Sequence, residues 1–360
     1  MDPIVLLCAL GMNVMSLVTL YAAADKYGMW YFRAQLFTTA AGIVAAVVVM
    51  LLDYDSWFRK LKVVFFIATI VLIVIVKRFG TGSLGNYNWI RIPNTNFSIQ
   101  PTEFTKITFM ITFALHLDAV RDKINHPLAV LSLVAHGGLI CGMVFWQGDT
   151  GMALVYVGIF SIMLFGAGLS LWYFGGAGVA ALLIAPRIWN HLSQIQQNRI
   201  LFGFNPDLDP LDAGWQAITS RSCIIAGGFR GAGMNGGTKY FSLVHGQSDF
   251  IYAVVAEKFG FFGTFLYLVL IVALIIRILW IARNTRKNYA SYICIGIAGM
   301  LLVQSAENIG MCLALLPVVG ITCPFLSYGS SSLLSMYICI GIIESICTHS
   351  QKYYFEREEA

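Results

Sequence analysis

Gln247-Ser248-Asp249-Phe250-Ile251-Tyr252 opens an apolar run that continues to residue 282, and its carboxylate stands where a polar segment enters a helix of membrane length. Charge is costly at such a boundary, so an ionisable side chain there is a functional candidate by default. Working outward, apolar runs of helical length cover residues 3–23, 35–52, 61–76, 103–118, 128–146, 151–167, 169–187, 291–310 and 328–347 as well. Each comes close to the roughly twenty residues that a bilayer crossing needs, with shorter or tilted segments allowed. The composition agrees: 58% hydrophobic and 11% charged residues, with a mean hydropathy of +0.75, leave too little charge for a soluble globule of 360 residues. The expected fold is all-α: one polytopic membrane domain over residues 1–360, about ten transmembrane helices, and a large extracytoplasmic loop at 188–248 between the seventh and eighth. The first run lacks a basic flank and a cleavage site of small residues, so it is expected to be a retained helix.

Basic residues set the orientation. With the N-terminus inside, the inner loops hold Arg59, Lys60, Lys62, Arg121, Lys123, Arg283, Arg286 and Lys287, and the tail holds Lys352 and Arg357. The short outer loops hold only Lys26, Arg33, Lys77, Arg78 and Arg91, so both termini should be cytoplasmic. The net charge of +5 is thus a topology signal, and no basic aromatic patch suggests a nucleic-acid partner. The eight cysteines contain no CxxC pair and read mostly as buried small hydrophobes. Cys312 and Cys323 flank one outer turn and could pair. The six histidines have no ligand spacing, so no zinc site is expected.

The polar stretch 188–248 holds Gln196-Gln197-Asn198-Arg199, Phe204-Asn205-Pro206-Asp207-Leu208-Asp209-Pro210, Gly214-Trp215-Gln216 and glycines at 227, 228, 231, 233, 236 and 237. A segment this long is usually functional or disordered, and its aromatic and apolar content argues for order. The glycines allow positive φ and close approach to a ligand, or they simply fold a compact surface loop. They form no nucleotide fingerprint, since no strand precedes them and no P-loop lysine follows. Other elements reach the same side. Pro101 begins a helix on which Glu103 and Lys106 share a face at i, i+3, either as a site or as a buried structural pair. Asp149 reads foremost as an N-cap. Pro324-Phe325-Leu326-Ser327-Tyr328-Gly329 makes an irregular outer turn, tolerated at membrane depth where it is buried or lines a cavity.

These segments, in this order, resemble the SEDS family of bacterial cell-wall proteins, which includes RodA, FtsW and SpoVE. The resemblance spans nearly the whole chain, from Gln35 to Ser331. It is strongest at Gln100-Pro101-x-Glu103-x-x-Lys106, at 214–252, at Glu257 with Gly260-Phe261-Phe262-Gly263, and from Asn308-Ile309-Gly310-Met311 to Ser331. Asp209-Pro210-Leu211, Pro317-Val318-Val319-Gly320 and the short N-terminus look most like the RodA branch. The resemblance implies a peptidoglycan glycosyltransferase of the bacterial cytoplasmic membrane. Such an enzyme polymerises lipid II at the outer face, for cell shape or division, with a class B penicillin-binding protein and other elongation or division proteins as partners. Asp249 matches the aspartate of the family's His-Thr-Asp-Phe-Ile-Phe motif and Arg199 its Gln-x-x-Arg element.

Glycosyl transfer needs a base for the acceptor hydroxyl, a role suited to a desolvated carboxylate such as Asp249. It also needs cations for the diphosphate leaving group. Substrate-facing candidates are Trp89, Arg91, Glu103, Lys106, Asp149, Arg199, Arg221 and Ser327. The residues point to no certain cofactor, and a divalent cation could take part. The chain departs from the family pattern at Asn88-Trp89-Ile90-Arg91 (for Arg-Trp-Ile), at Gly148 (for proline), at Gln247 (for histidine, with His245 two positions earlier), at Lys258 (for glutamate) and at Ser330 (for glycine). Two other functions suit a ten-helix frame: a lipid II flippase, against which stands the lack of an evident inverted repeat, and a non-catalytic scaffold for a penicillin-binding protein.

Overall fold

The computed structural model describes the chain apart from residues 83–86, 92–97, 193, 212–213 and 356–360, and apart from the side chains of residues 188, 191, 195, 196, 199 and 350–355. Its helices are α1 (Pro3–Ala22), α2 (Ala24–Tyr27), α3 (Met29–Leu51), α4 (Tyr54–Phe79), α5 (Pro101–Ala119), α6 (Pro127–Gln147), α7 (Thr150–Gly166), α8 (Leu171–His191), α9 (Gln194–Phe204), α10 (Trp215–Gly227), α11 (Ile251–Asn284), α12 (Asn288–Cys312) and α13 (Ser330–Phe355). The expected runs coincide with α1, α3 to α8 and α11 to α13. Among the described residues, α1, α3, α6, α11, α12 and α13 contain stretches long and apolar enough to cross a membrane, while α7 and α8 are shorter apolar helices. The remaining two, α4 and α5, carry charge, α4 near its ends and α5 at Glu103 and Lys106. The chain is a multi-pass membrane protein. Side chains such as Trp172 and Leu182 of α8, 89% and 76% exposed, lie on the apolar outer surface.

The segment 188–248 is more structured than a loop. Helix α8 runs through Pro186 to His191, and α9, α10 and two short 3-10 turns follow. The glycine cluster folds this segment against α11. At about 1.5 Å per residue, 34 residues make about 51 Å, well beyond a hydrocarbon core of roughly 30 Å. The helix breaks at Gly260 (φ 64°, ψ −159°), where a Cβ would sit 2.4 Å from the Gly231 nitrogen. The loop satisfies the backbone groups that the break exposes. Ala232 and Gly233 donate to the carbonyls of Glu257 and Lys258 at 2.8 and 2.9 Å, and the Phe261 N–H donates to Gly228 at 2.8 Å. The compact-loop alternative therefore accounts for these glycines.

Glu257 and Lys258 complete the clamp. The Glu257 carboxylate accepts from the backbone N–H groups of Lys239 and Tyr240 at 2.8 and 2.7 Å. The Lys258 ammonium donates to the carbonyls of Met234 and Gly236 at 3.0 and 2.9 Å. From the far side, Lys26 donates to the carbonyl of Tyr240 at 2.8 Å, and the Tyr240 hydroxyl donates to Asp25 at 2.7 Å. Residues 228–243 are thus fixed to α2 and to the short N-terminal part of α11, whose approach is Asp249.

Small residues bring the inner helices together, as expected where packing rather than hydrophobicity drives helix association. Gly42 of α3 lies against Tyr337 of α13, and Gly158 and Gly299 join α7 to α12 through Val303 and Ile162. At the end predicted to be cytoplasmic, Asp2 pairs with Arg277 at 2.6 Å and Lys287 with Asp55 at 2.8 Å.

Candidate active site

Asp249 lies in a turn just ahead of α11. The His245 carbonyl accepts from the N–H groups of Ser248 and Phe250 at 3.2 and 3.1 Å, and the Tyr328 N–H donates to the Gln247 carbonyl at 2.9 Å. Ser327 Oγ donates to the Ser248 carbonyl at 2.6 Å and accepts from the Cys323 N–H at 2.7 Å. Asn308 Nδ2 donates to the carbonyls of Asp249 and Ile321, both at 2.7 Å. Gln35 joins α3 to the turn that carries Ser327, donating to the Ser327 carbonyl at 3.1 Å and to Ser16 at 3.0 Å. Helix α12 and the 321–328 turn, the latter braced by α3, thus hold the backbone around one half-buried carboxylate. Gly320, at φ 71°, borders it, and a Cβ there would lie 3.4 Å from Asp249 Oδ2. Burial raises the Asp249 pKa, against the opposing pull of His245 and of the Ser248 hydrogen bond. A carboxylate placed this way is a stronger base than a solvated one.

A second polar cluster adjoins it. Lys106 Nζ and Glu103 Oε2 are 2.7 Å apart and almost wholly buried, and Ser335 donates to the same oxygen at 3.2 Å. Asp149 caps α7, accepting the Met152 N–H at 2.9 Å, and its other oxygen accepts from Gln100 Nε2 at 3.3 Å. Burial pushes the Asp149 pKa up to about 6, opposed by these two hydrogen bonds, while the charge of Glu103 adds to the rise. The Gln100 N–H donates to Ser331 Oγ at 3.0 Å. Residues 319–335 connect the two clusters. Gly151 lies so close that a Cβ would stand 2.7 Å from the Val319 carbonyl, and Thr322 and Ser332 share a hydrogen bond of 2.8 Å.

Asp249 and Ser327 therefore meet in one cluster, and Glu103, Lys106 and Asp149 in the other. Trp89 and Arg91 lie on a hairpin that leads into Gln100. Trp89 bridges Thr81, and exposed Arg91 belongs to β1 (Ile90–Arg91), paired with β2 (Ser98–Ile99). Arg221 is exposed on α10, beside Ser220, which donates to the Cys312 carbonyl at 2.8 Å. The Arg199 side chain lies outside the described residues; its backbone belongs to α9. Cys312 and Cys323 are free, buried thiols rather than a disulfide. Among the described residues, no group of three or more His, Cys, Asp or Glu side chains could hold a metal ion. Asn308, Gln35 and Gln100 were not on the list of candidates. Each is a polar residue in or beside an apolar run, a signal weaker than charge but of the same kind.

The family model for the cell cycle proteins FtsW, RodA and SpoVE matches residues 2–352. The chain belongs to this family. Relatives within FtsW/RodA/SpoVE include a probable peptidoglycan glycosyltransferase FtsW from Trichlorobacter lovleyi, 32% identical over 96% of this chain and 92% of that one. The stage V sporulation protein E of Bacillus subtilis is 30% identical over 97% and 98%. The peptidoglycan glycosyltransferase MrdB of Escherichia coli K12 is 32% identical over 97% and 94%. Identity alone does not separate the branches. The FtsW/RodA/SpoVE fold also recurs in solved structures: a chain of a peptidoglycan synthase complex (TM-score 0.84, 24% identity, 97% and 98% covered) and RodA of Thermus thermophilus (0.73, 21%, 97% and 97%).

Proposed function

We propose that the protein is an inverting peptidoglycan glycosyltransferase that polymerises lipid II at the outer face of the bacterial cytoplasmic membrane. Both termini would lie in the cytoplasm. The observation that carries this function is the half-buried Asp249 carboxylate, whose backbone is held by side chains of α12 and of the 321–328 turn, the latter braced from α3. Membership of a family whose relatives include peptidoglycan glycosyltransferases supports it.

In the reaction, Asp249 takes the proton of the acceptor hydroxyl as that oxygen attacks the donor anomeric carbon. The bond from that carbon to the polyprenyl diphosphate breaks, and the diphosphate leaves with the electron pair. One displacement converts an α-linked donor into a β-linkage and needs no second carboxylate as nucleophile. The cation candidates for the diphosphate are Arg199, Arg221, Arg230, Arg91 and Lys106. Lys106 is already engaged by Glu103, so an arginine with its planar fork suits the phosphate oxygens better. A divalent cation, if used, would arrive on the diphosphate. A class B penicillin-binding protein, acting with other elongation or division proteins, would cross-link the product.

The test is polymerisation of purified lipid II by the reconstituted protein, with and without a class B penicillin-binding protein. Glycan strands that disappear in Asp249→Asn are expected. Lipid II crossing a bilayer without polymerisation would point to a flippase. Activity confined to the partner would point to a scaffold.

A further inference from the structure

On α12, Gln304 is 0% and Glu307 6% exposed. Neither end of the Gln304 amide has a hydrogen-bond partner, and neither has Glu307 Oε2. Glu307 enters no ion pair among the described residues, and the two side chains do not bond each other across their i, i+3 spacing. Buried polar groups are ordinarily satisfied, and orphans of this kind mark a place for something polar.

Their position says where. Gly296, Met300, Gln304 and Glu307 form one stripe along α12, and Gly296 lies against Met110 of α5. From that contact α12 runs towards its outer end and α5 back towards its own. Gln304 is about 12 Å along α12 and Glu103 about 10 Å along α5, so the two stand level. Glu103 Oε1 and Thr102 Oγ1, at this level, are orphaned too. The next residue, Asn308, holds the Asp249 carbonyl.

We infer that Gln304 and Glu307 form a sugar-binding subsite for an N-acetylated hexose of the lipid-linked substrate. The subsite rests on the glycosyl-transfer function proposed above. An acetamido group offers an N–H for the Glu307 carboxylate and a carbonyl for Gln304 Nε2, which leaves Gln304 Oε1 to accept from a sugar hydroxyl. A phosphate would be repelled by Glu307. A metal cation would face the amide donor and would lack a third carboxylate.

The test measures polymerisation kinetics and melting temperature for Glu307→Gln and Gln304→Met, on lipid II and on an analogue with hydrogen in place of each acetamido group. Each variant should melt at or above the parent, because an orphaned buried group is removed or neutralised. The KM for lipid II should rise about tenfold or more, with kcat changed much less. On the analogue the Glu307→Gln penalty should vanish and the Gln304→Met penalty should shrink to that of its sugar-hydroxyl contact, because the acetamido contacts are then missing from both sides. Variants with the parental KM, variants equally impaired on both substrates, or variants that melt early and lose activity in proportion would each overturn the subsite. A parent that polymerises lipid II while the variants keep its KM removes the subsite alone. A parent that polymerises nothing removes the function itself.

Discussion

Asn308 Nδ2 donates to the carbonyls of Asp249 and Ile321 at 2.7 Å each, so a single amide on α12 fixes the proposed base to the turn that borders it. Asn308→Leu keeps the branched shape and the number of heavy atoms and leaves two carbonyls without their donor, at about 1–3 kcal/mol apiece. Both melting temperature and turnover should fall. Asn308→Asp cannot donate when ionised and should behave like the leucine variant at neutral pH and less severely in acid. Unchanged turnover in both would show that the turn holds its shape without this amide.

Asp249→Asn keeps the shape of the side chain and removes its basicity. Polymerisation should drop by roughly 10²–10⁴, with little change in insertion or melting temperature. Because burial raises the carboxylate pKa, the acid limb of the parental pH–rate profile should lie above the ordinary carboxylate range and climb as Asp249 loses its proton. A flat profile across that range would remove Asp249 as the base.

Breaking the Glu103–Lys106 pair from one side strands a charge that is almost wholly buried, so Glu103→Gln and Lys106→Met should each lower the melting temperature, by roughly 3–5 kcal/mol in stability. The double variant should regain most of that stability. Recovery of stability without turnover would assign the pair a part in the reaction as well as in the fold.

Asp149 tests linkage between charge and fold. Its pKa is about 6 in the fold against 3.8 in the unfolded chain, so the folded state binds the proton more tightly. The stability it contributes is fully present below about pH 4 and is lost as pH rises through about 6. Asp149→Asn can still cap α7. The difference in melting temperature between parent and variant should therefore shift in the variant's favour across that window. A constant difference from pH 4 to 7 would show that Asp149 keeps an ordinary pKa.

Gly260→Ala should be severe. It places a Cβ 2.4 Å from the Gly231 nitrogen at a backbone conformation open essentially to glycine alone, a strain of about 1–3 kcal/mol before the clash is counted. Loss of the clamp between residues 228–233 and α11 should appear as faster proteolysis of the 228–243 segment.

Much of this was legible before folding. The ten apolar runs became ten helices because hydrophobic length depends only on local sequence, and Glu103 met Lys106 because helical spacing at i, i+3 is local too. Asp149 was readable as a cap for the same reason. Other features were not legible. The glycines at 227–237 looked the same whether they cradled a ligand or packed on a helix break, and only their contacts with Glu257, Lys258 and Gly260 decide between the two. Trp89 and Arg91 read only as outer-loop candidates in sequence, and the structure puts them on a hairpin whose second strand leads into Gln100 of the second cluster.

The sequence by itself determined that the chain crosses a membrane many times, that Asp249 stands at the mouth of a helix, and which charges share a helical face. These follow from composition and short-range periodicity, which need no partner element. Only the tertiary structure decided that the Asp249 turn is held by Asn308 of α12 and by Ser327, itself braced by Gln35 of α3. Only the tertiary structure, too, left Gln304 and Glu307 buried without partners. The physical reason is that a hydrogen bond between distant segments depends on how whole helices pack, and uncharged amides carry no pattern in sequence that announces where their partners will be.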